Sequence, residues 1–377
     1  MELLVKKILQ FSKFYPPGIG GIEQVAYDIV KGINRSQTNH CDVLCFHHKM
    51  RSDSEQVMDQ GASIFRMKTW KVIASTPISL SIFTKYFSIL SKYDVVHFHV
   101  PNPLGTIAAI LTFNKKIVVH WHSDIVKQKM MLRFFRPLQN LMLRKADVII
   151  VTSDKYGKES EQLANFQDKV VTVPIGIDFD SYMDNLEVKR RLIEKYKNRK
   201  VIFSLGRLAY YKGFEYLIQS AKYLPDNYSV VIGGSGELHD ELQNLIDDND
   251  LQNKVQLLGR IEANELSAWY QVADVFCMSS IEKSEAFGVV QLEAMSNSLP
   301  VVSTRIVGSG VDWVNLDGES GLTVEPRDDR ALASAFMRIC EDADFAQRLA
   351  EGAYGRYQKL FTADKMCAGI ENVYNTL

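Results

Sequence analysis

Apolar runs of four to seven residues alternate with helix-patterned segments along most of the chain, and several of the runs close on glycine. In the second half, 200–205 closes on Gly206, 228–232 on Gly233 and Gly234, and 255–258 on Gly259. Between them, apolar residues recur at helical spacing: Phe214, Leu217, Ile218 and Ala221, then Leu238, Leu242 and Ile246. The runs 275–278 and 300–303 complete that set. Short apolar strands separated by helices predict a parallel sheet covered on both faces. The first half repeats the rhythm, with strands expected at 8–14, 40–46, 94–99, 116–122, 146–152 and 169–174. A chain of 377 residues is too long for one ordinary core. The expected architecture is therefore α/β, with two doubly wound parallel-sheet domains and a cleft between them. The first spans 1–178 and the second 179–357, with a linker at 175–182 and a C-terminal helix at about 358–377 packing back on the first.

Within that frame, 279–295 concentrates the chemistry. The strand run 273–278 feeds a polar loop, and a helix begins near Gly288, flanked by Glu285 and Glu293. A helix start offers unpaired N–H groups and partial positive charge to a phosphate. Glu293 would then lie roughly 9 Å further along the axis. That spacing suits a ligand with phosphate in the middle and hydroxylated sugars on either side. Arg207 and Lys212 follow another strand end, where guanidinium and ammonium can clamp a diphosphate and do the work of a metal ion. Taken alone, each of these charges is equally compatible with ordinary solvated surface.

The first strand leads into Gly18, Gly20 and Gly21 and then a helix through Ile22, Val25, Ala26, Ile29 and Ile33. Glu23 stands where a dinucleotide fingerprint needs its third glycine, which argues against a nicotinamide cofactor. His97 and His99 end one strand and His120 and His122 the next, and ligands of open α/β sheets gather at such ends. His122, the last strand residue, is the strongest of the four. A tetrahedral zinc site is an open alternative there, though no cysteine or carboxylate pattern supports it. Cys41 and Cys45 on one strand would stand about 13 Å apart, too far to share an ion. The segment 127–145 carries six basic residues (Lys127, Lys129, Arg133, Arg136, Arg144 and Lys145), no acidic one, and an apolar stripe broken or restarted at Pro137. It reads either as a surface for anionic lipid or as a helix with its apolar face in the core.

A net charge of −1 gives no global field for nucleic acid, and no P-loop is present. Five scattered cysteines suit a reducing compartment. There is no signal-peptide pattern, and the longest apolar run, 104–113, is too short to span a bilayer. The expected location is cytoplasmic.

The combination resembles the retaining glycosyltransferases of family 4, with the GT-B fold of two Rossmann-like domains, across essentially the whole chain. Its most specific element is Glu285-Ala-Phe-Gly-Val-Val-Gln-Leu-Glu293, similar to the family's Glu-x7-Glu motif. Gly206-Arg207-Leu208 with Lys212-Gly213, Gly20-Gly21-Ile22-Glu23, Asp94-Val-Val-His-x-His99 and Gly176-Ile177-Asp178 also match, in the family's order. The resemblance implies a catalytic set of His122, Arg207, Lys212 and Glu285, with no metal or other cofactor. It gives the donor diphosphate to Arg207 and Lys212 and to the backbone of Phe287, Gly288 and Val289. Glu285 would hold the transferred sugar and Glu293 the ribose; Arg260 and Ile261 would flank the base. Gly20, Gly21 and Gly234 complete the donor set. Retention in the family requires no protein nucleophile. Glu282 offers a second register for the first carboxylate, but breaks the spacing to Glu293.

His122-Ser-Asp-Ile-Val126 and the basic segment after it resemble bacterial enzymes that extend lipid-linked polysaccharides, such as O-antigen mannosyltransferases. That favours GDP-mannose over UDP-sugars as donor. It also implies a lipid-linked oligosaccharide acceptor and peripheral attachment to the inner membrane face. Two other classes compete. A nucleotide-sugar epimerase needs a glycine fingerprint and Tyr-x-x-x-Lys; Tyr196 and Lys200 have the spacing but no cofactor loop nearby. A non-catalytic nucleotide-sugar-binding protein would need Glu293 but not Arg207, Lys212 and His122 together.

Overall fold

The computed structural model describes residues 5–18, 20–73, 76–124, 129–179 and 185–377, with residues 129–134 described as backbone only. The chain divides into two units. One comprises residues up to Ile177 together with Thr362–Leu377, and the other is Asp178–Phe361.

The strands of the first unit are β1 (Lys6–Phe11), β2 (Asn39–Met50), β3 (Glu55–Asp59), β4 (Ala62–Thr69), a small hairpin of β5 (Lys71–Ile73) and β6 (Thr76–Ile78), β7 (Val95–Val100), β8 (Lys116–Trp121), β9 (Val148–Val151) and β10 (Val170–Thr172). Eight of them form one sheet in the order β10-β9-β8-β7-β1-β2-β4-β3, parallel except for the β3–β4 edge pair. All of β7 is buried, as expected of a strand covered on both faces. The helices Gly21–Ser36 and Ala363–Thr376 pack on each other, with the Cys367 thiol against Gly32. The stretch 358–377 is not a single helix. Ala343–Leu360 ends in the second unit, and Thr362 restarts the chain by accepting the Lys365 N–H at 3.3 Å.

The second unit carries β11 (Lys200–Leu205), β12 (Tyr228–Gly233), β13 (Val255–Gly259), β14 (Val275–Met278), β15 (Val301–Thr304) and β16 (Gly321–Val324). They form an all-parallel sheet in the order β13-β12-β11-β14-β15-β16. Its core gathers Ile202, Leu217, Val230, Val275, Val302 and Phe336 from strands and covering helices.

Strand order locates the crevices. Winding reverses between β1 and β7 in the first sheet and between β11 and β14 in the second. At such a reversal the loops leaving two adjacent strands turn to opposite faces, opening a crevice at their carboxyl ends. The loops that open there are 12–20 after β1, 206–213 after β11 and 279–289 after β14.

Candidate functional site

In the second unit the reversal brings Lys212 and Glu285 together. Lys212 ends the short turn Tyr210–Lys212 after β11, and Glu285 lies in the loop after β14. The loops are laced by Ser279 Oγ donating to the Lys212 carbonyl at 3.0 Å and Ile281 N–H donating to the Tyr211 carbonyl at 2.8 Å. Lys212 Nζ donates to Glu285 Oε2, with side chains only 11% and 13% exposed. Ser280 Oγ donates to the same oxygen at 3.2 Å. Burial works against the Lys212 ammonium, but the Glu285 carboxylate and Tyr211 outweigh it and raise its pKa above the ordinary value. The carboxylate that pairs with Lys212 is therefore Glu285, in the register that keeps the spacing to Glu293; Glu282 accepts the Glu285 N–H through its backbone.

The two cations differ in setting. Arg207 is 61% exposed, and its guanidinium lies 3.5 Å from Glu237. The clamp expected from sequence is thus one buried ammonium paired with Glu285 and one exposed guanidinium beside Glu237.

Gly288 adopts φ +77, and a Cβ there would stand 2.6 Å from Met278 Sδ. Only glycine combines that backbone with that contact. The helix that follows is Val290–Ser296. Among the described residues, the N–H groups of Phe287, Gly288 and Val289 donate to no protein acceptor. They form a row of open donors two to four residues from Glu285. Ser284 Oγ, buried beside them, has no partner among the described residues either.

Glu293 accepts from the Tyr270 hydroxyl at 2.6 Å. Burial pushes its carboxyl up to about 7, against the opposing pull of that hydrogen bond. Tyr270, on the helix Ala263–Val272, carries no sequence signal of this role. Gly234 and Ile261 flank the β12 end: Ile261 fills the space beside Gly233, and Gly234 abuts the Gly206 carbonyl. Arg260 is exposed at the end of β13.

In the first unit the four strand-end histidines form one buried layer. His99 Nδ1 meets His122 Nε2 at 2.9 Å, and His99 Nε2 meets Gln10 Oε1 at 2.8 Å. Gln10 Nε2 donates to the Tyr374 hydroxyl at 2.7 Å, which also lies 2.7 Å from His97 Nδ1. The rings of His120 and His122 stack with centroids 4.1 Å apart. Burial lowers the pKa of all four, that of His99 to about 3, so the layer is neutral at pH 7. His97, His99 and His120 bring ring nitrogens within 4.8 Å of one another. Both His99 nitrogens are engaged, however, and of these three rings it is His97 Nε2 and both His120 nitrogens that have no partner among the described residues. Among the described residues that leaves two open imidazoles and no carboxylate, short of a four-ligand tetrahedral set.

Gly20 is extended at φ 171, and Gly21 opens the helix Gly21–Ser36. The Glu23 carboxylate lies over Gly20, and burial raises its pKa. Asp124, just past His122, accepts from Trp121 Nε1 at 3.0 Å and Ser160 Oγ at 2.7 Å, which fixes the exit of β8.

Of the basic segment, Lys127 and the side chains of Lys129 and Arg133 lie outside the described residues. The helix Lys129–Lys145 runs through Pro137 without the break expected from sequence. Arg136 and Arg144 are exposed, as are Leu138 and Leu141. Lys145 is different: its ammonium donates to the carbonyls of Ile110 and Thr112 and sits 4.2 Å from the Phe113 ring centroid. It caps the end of the preceding helix, Pro103–Ile110, rather than standing free as a surface charge.

Residues 19–181 match the family described as Glycosyltransferase Family 4, and residues 186–356 the one described as Glycosyl transferases group 1. The O-antigen chain mannosyltransferase C of Escherichia coli is 30% identical over 368 residues, covering 97% of each chain. The D-rhamnosyltransferase WbpZ of Pseudomonas aeruginosa is 32% identical over 366 residues, covering 95% of this chain and 92% of that one. Among solved structures, sucrose-phosphate synthase from Thermosynechococcus elongatus superposes with a TM-score of 0.83 at 20% identity, covering 98% of both chains. HepE from Anabaena, solved with UDP and glucose, gives 0.80 at 20% identity over 99% of this chain and 100% of that one.

Proposed function

The chain belongs to the family 4 glycosyltransferases of GT-B fold, and from that premise we propose that it is a retaining, metal-independent hexosyltransferase acting on a lipid-linked glycan in O-antigen or related polysaccharide assembly. Mannose from GDP-mannose is the first donor to test, supported by the full-length likeness to the O-antigen chain mannosyltransferase. A UDP-sugar is the second reading, favoured by the likeness to HepE, solved with UDP and glucose.

The observation that carries the reading is the buried Lys212–Glu285 pair beside three open backbone N–H groups. An incoming diphosphate supplies the negative charge Lys212 needs and releases Glu285 to accept from sugar hydroxyls. Arg207 swings in from solvent to share the charge that builds on the leaving diphosphate, an electrostatic role that replaces a metal. Glu293, with a pKa of about 7, accepts the ribose hydroxyls when ionised. His122, from the first unit, acts in the transfer step as a neutral imidazole.

Thermal melts with a panel of nucleotide sugars test the donor. A bound donor raises the melting temperature with the logarithm of its excess over Kd, and GDP-mannose is expected to give the largest shift. The Glu293 carboxyl adds a pH signature. Its folded-state pKa is raised, so the proton comes on as pH falls through about 7. The ribose then loses its anionic acceptor, and the GDP-mannose shift should shrink from pH 8 to pH 6. A larger shift with UDP-sugars would reassign the donor; no shift with any nucleotide sugar would sink the reading.

No helix of the described residues is long and apolar enough to cross a membrane. Peripheral attachment is supported by Leu138 and Leu141, which face outward beside Arg136 and Arg144, contrary to a helix with its whole apolar stripe in the core. Anionic head groups attract such a surface by about 1 kcal/mol per cation. Neutralising Lys129, Arg133 and Arg136 together should therefore release the protein from vesicles containing phosphatidylglycerol. Unchanged co-sedimentation would return the helix to a purely structural role.

A further inference from the structure

The histidine layer of the first unit has a direction. Tyr374, Gln10, His99 and His122 form one hydrogen-bonded chain drawn from four elements: the helix Ala363–Thr376, β1, β7 and the exit of β8. Gln10 Nε2 gives one proton to the Tyr374 hydroxyl, with Cys41 Sγ 3.8 Å away on its other side. Its Oε1 is the end that meets His99. An amide oxygen cannot donate, so His99 Nε2 carries the shared proton. A neutral imidazole has only one, so His99 Nδ1 accepts, and the nitrogen facing it, His122 Nε2, must donate. Tyr374, accepting from Gln10, gives its own proton to His97 Nδ1. Polarity along the chain thus follows from one amide orientation.

We propose that Gln10 is a positioning residue for His122: acting through His99, it holds His122 as the Nε2–H tautomer, with Nδ1 left as a hydrogen-bond acceptor for a substrate hydroxyl. This rests on the reading of His122 as a participant in sugar transfer. Two features set the layer apart from polar groups buried only for stability. His97 and His120 keep three ring nitrogens without partners, a cost an apolar strand face would not carry. The chain also runs from the buried Tyr374 of the C-terminal helix toward the carboxyl end of the sheet, where ligands of this architecture lie. All four rings are neutral, so tautomer is the property that the chain can set.

The experiment compares wild type with Gln10→Met, which removes the acceptor at similar volume, and Gln10→Glu, which keeps one. Long-range 1H–15N correlation spectra of His122 read the tautomer directly. The expected result is the Nε2–H form in wild type and Gln10→Glu, and a mixture with the Nδ1–H form in Gln10→Met. Alongside it, kcat in Gln10→Met should fall about tenfold to a hundredfold, less than the roughly hundredfold to ten-thousandfold that an acid–base group itself contributes, because the imidazole stays in place. The donor KM should stay unchanged, and Gln10→Glu should restore most of the rate with its acid limb moved to higher pH. If Gln10→Met does not fold, Tyr374→Phe frees the amide from its outer end and should produce the same mixture. An Nδ1–H His122 in wild type, or an unchanged tautomer when the acceptor is removed, overturns the positioning role. Wild-type turnover in His122→Ala overturns the transfer role of His122, and the proposal falls with it whatever the spectra show.

Discussion

Lys212→Ala is expected to lower kcat/KM for sugar transfer by roughly a thousandfold, the scale on which a preorganised charge at a leaving group acts. The same substitution leaves Glu285 enclosed without its cation, with Ser280 as the one remaining side-chain donor to that oxygen among the described residues. Removing one member of a buried pair costs stability on the order of 2 kcal/mol, discounted here because both side chains keep some contact with water. Lys212→Met paired with Glu285→Gln separates the two effects. The double substitution removes both charges, so thermal stability should return toward wild type while transfer remains lost. Glu285→Ala alone should also abolish transfer with the fold intact. Steady-state kinetics and melting curves on the set decide the matter, and near-normal turnover in either alanine variant would remove Lys212 and Glu285 from the site.

Gly234→Ala is expected to be the most damaging single substitution for the fold of the second unit. Gly234 has φ +133, a region closed to residues with a side chain, and its Cβ position runs into the Gly206 carbonyl. The obstacle is backbone, so no rotamer change relieves it. Moving either chain would break Gly206 N–H to the Gly233 carbonyl (3.0 Å) and Gly234 N–H to the Gly259 carbonyl (2.7 Å), which tie together the ends of β11, β12 and β13. Strain and overlap together should cost about 3 kcal/mol or more, lowering the melting temperature by on the order of 10 °C. Gly318→Ala is the control. Its φ is +74 but its Cβ would meet open space, so only the conformational cost of about 1 kcal/mol should appear. Equal losses at the two positions would mean that the close approach of the strand ends does not matter.

Much of this architecture is legible in the sequence, and the reason is physical. Strands covered on both faces are predominantly apolar, so β9, β11 and β14 announce themselves, and the helices between them show their spacing. The edge of the first sheet is silent. In β3, Glu55, Gln56 and Met58 are exposed, and nothing in 51–80 forces a period of two. β16, four residues long, is equally quiet. Within the site, residue types at strand ends pointed to Lys212, Glu285 and Glu293, but not to how they are held. Tyr270 stands 23 residues from the carboxylate it supports, and Tyr374 stands 364 from Gln10. No local pattern encodes such contacts, because they arise only when separate elements pack. Lys145 shows the converse. Its charge reads as surface in sequence, and only the nearby carbonyls of Ile110 and Thr112 reveal it as a cap.

The return of the chain to the first unit has a consequence for biosynthesis. Ile177 and Thr362 are bridge partners, and Ala363 N–H donates to the Ile177 carbonyl at 3.0 Å, so the chain leaves and re-enters that unit at neighbouring points. The second unit is in effect an insert, and a ribosome that has delivered Phe361 has delivered all of it. The first unit, begun earlier, still lacks the helix that covers Gln10 and His97. Contacts between residues so far apart in sequence close late, after the intervening segment has folded. A nascent chain stalled before residue 363 would carry a finished second unit and an uncovered histidine layer, the state in which this protein most needs a chaperone.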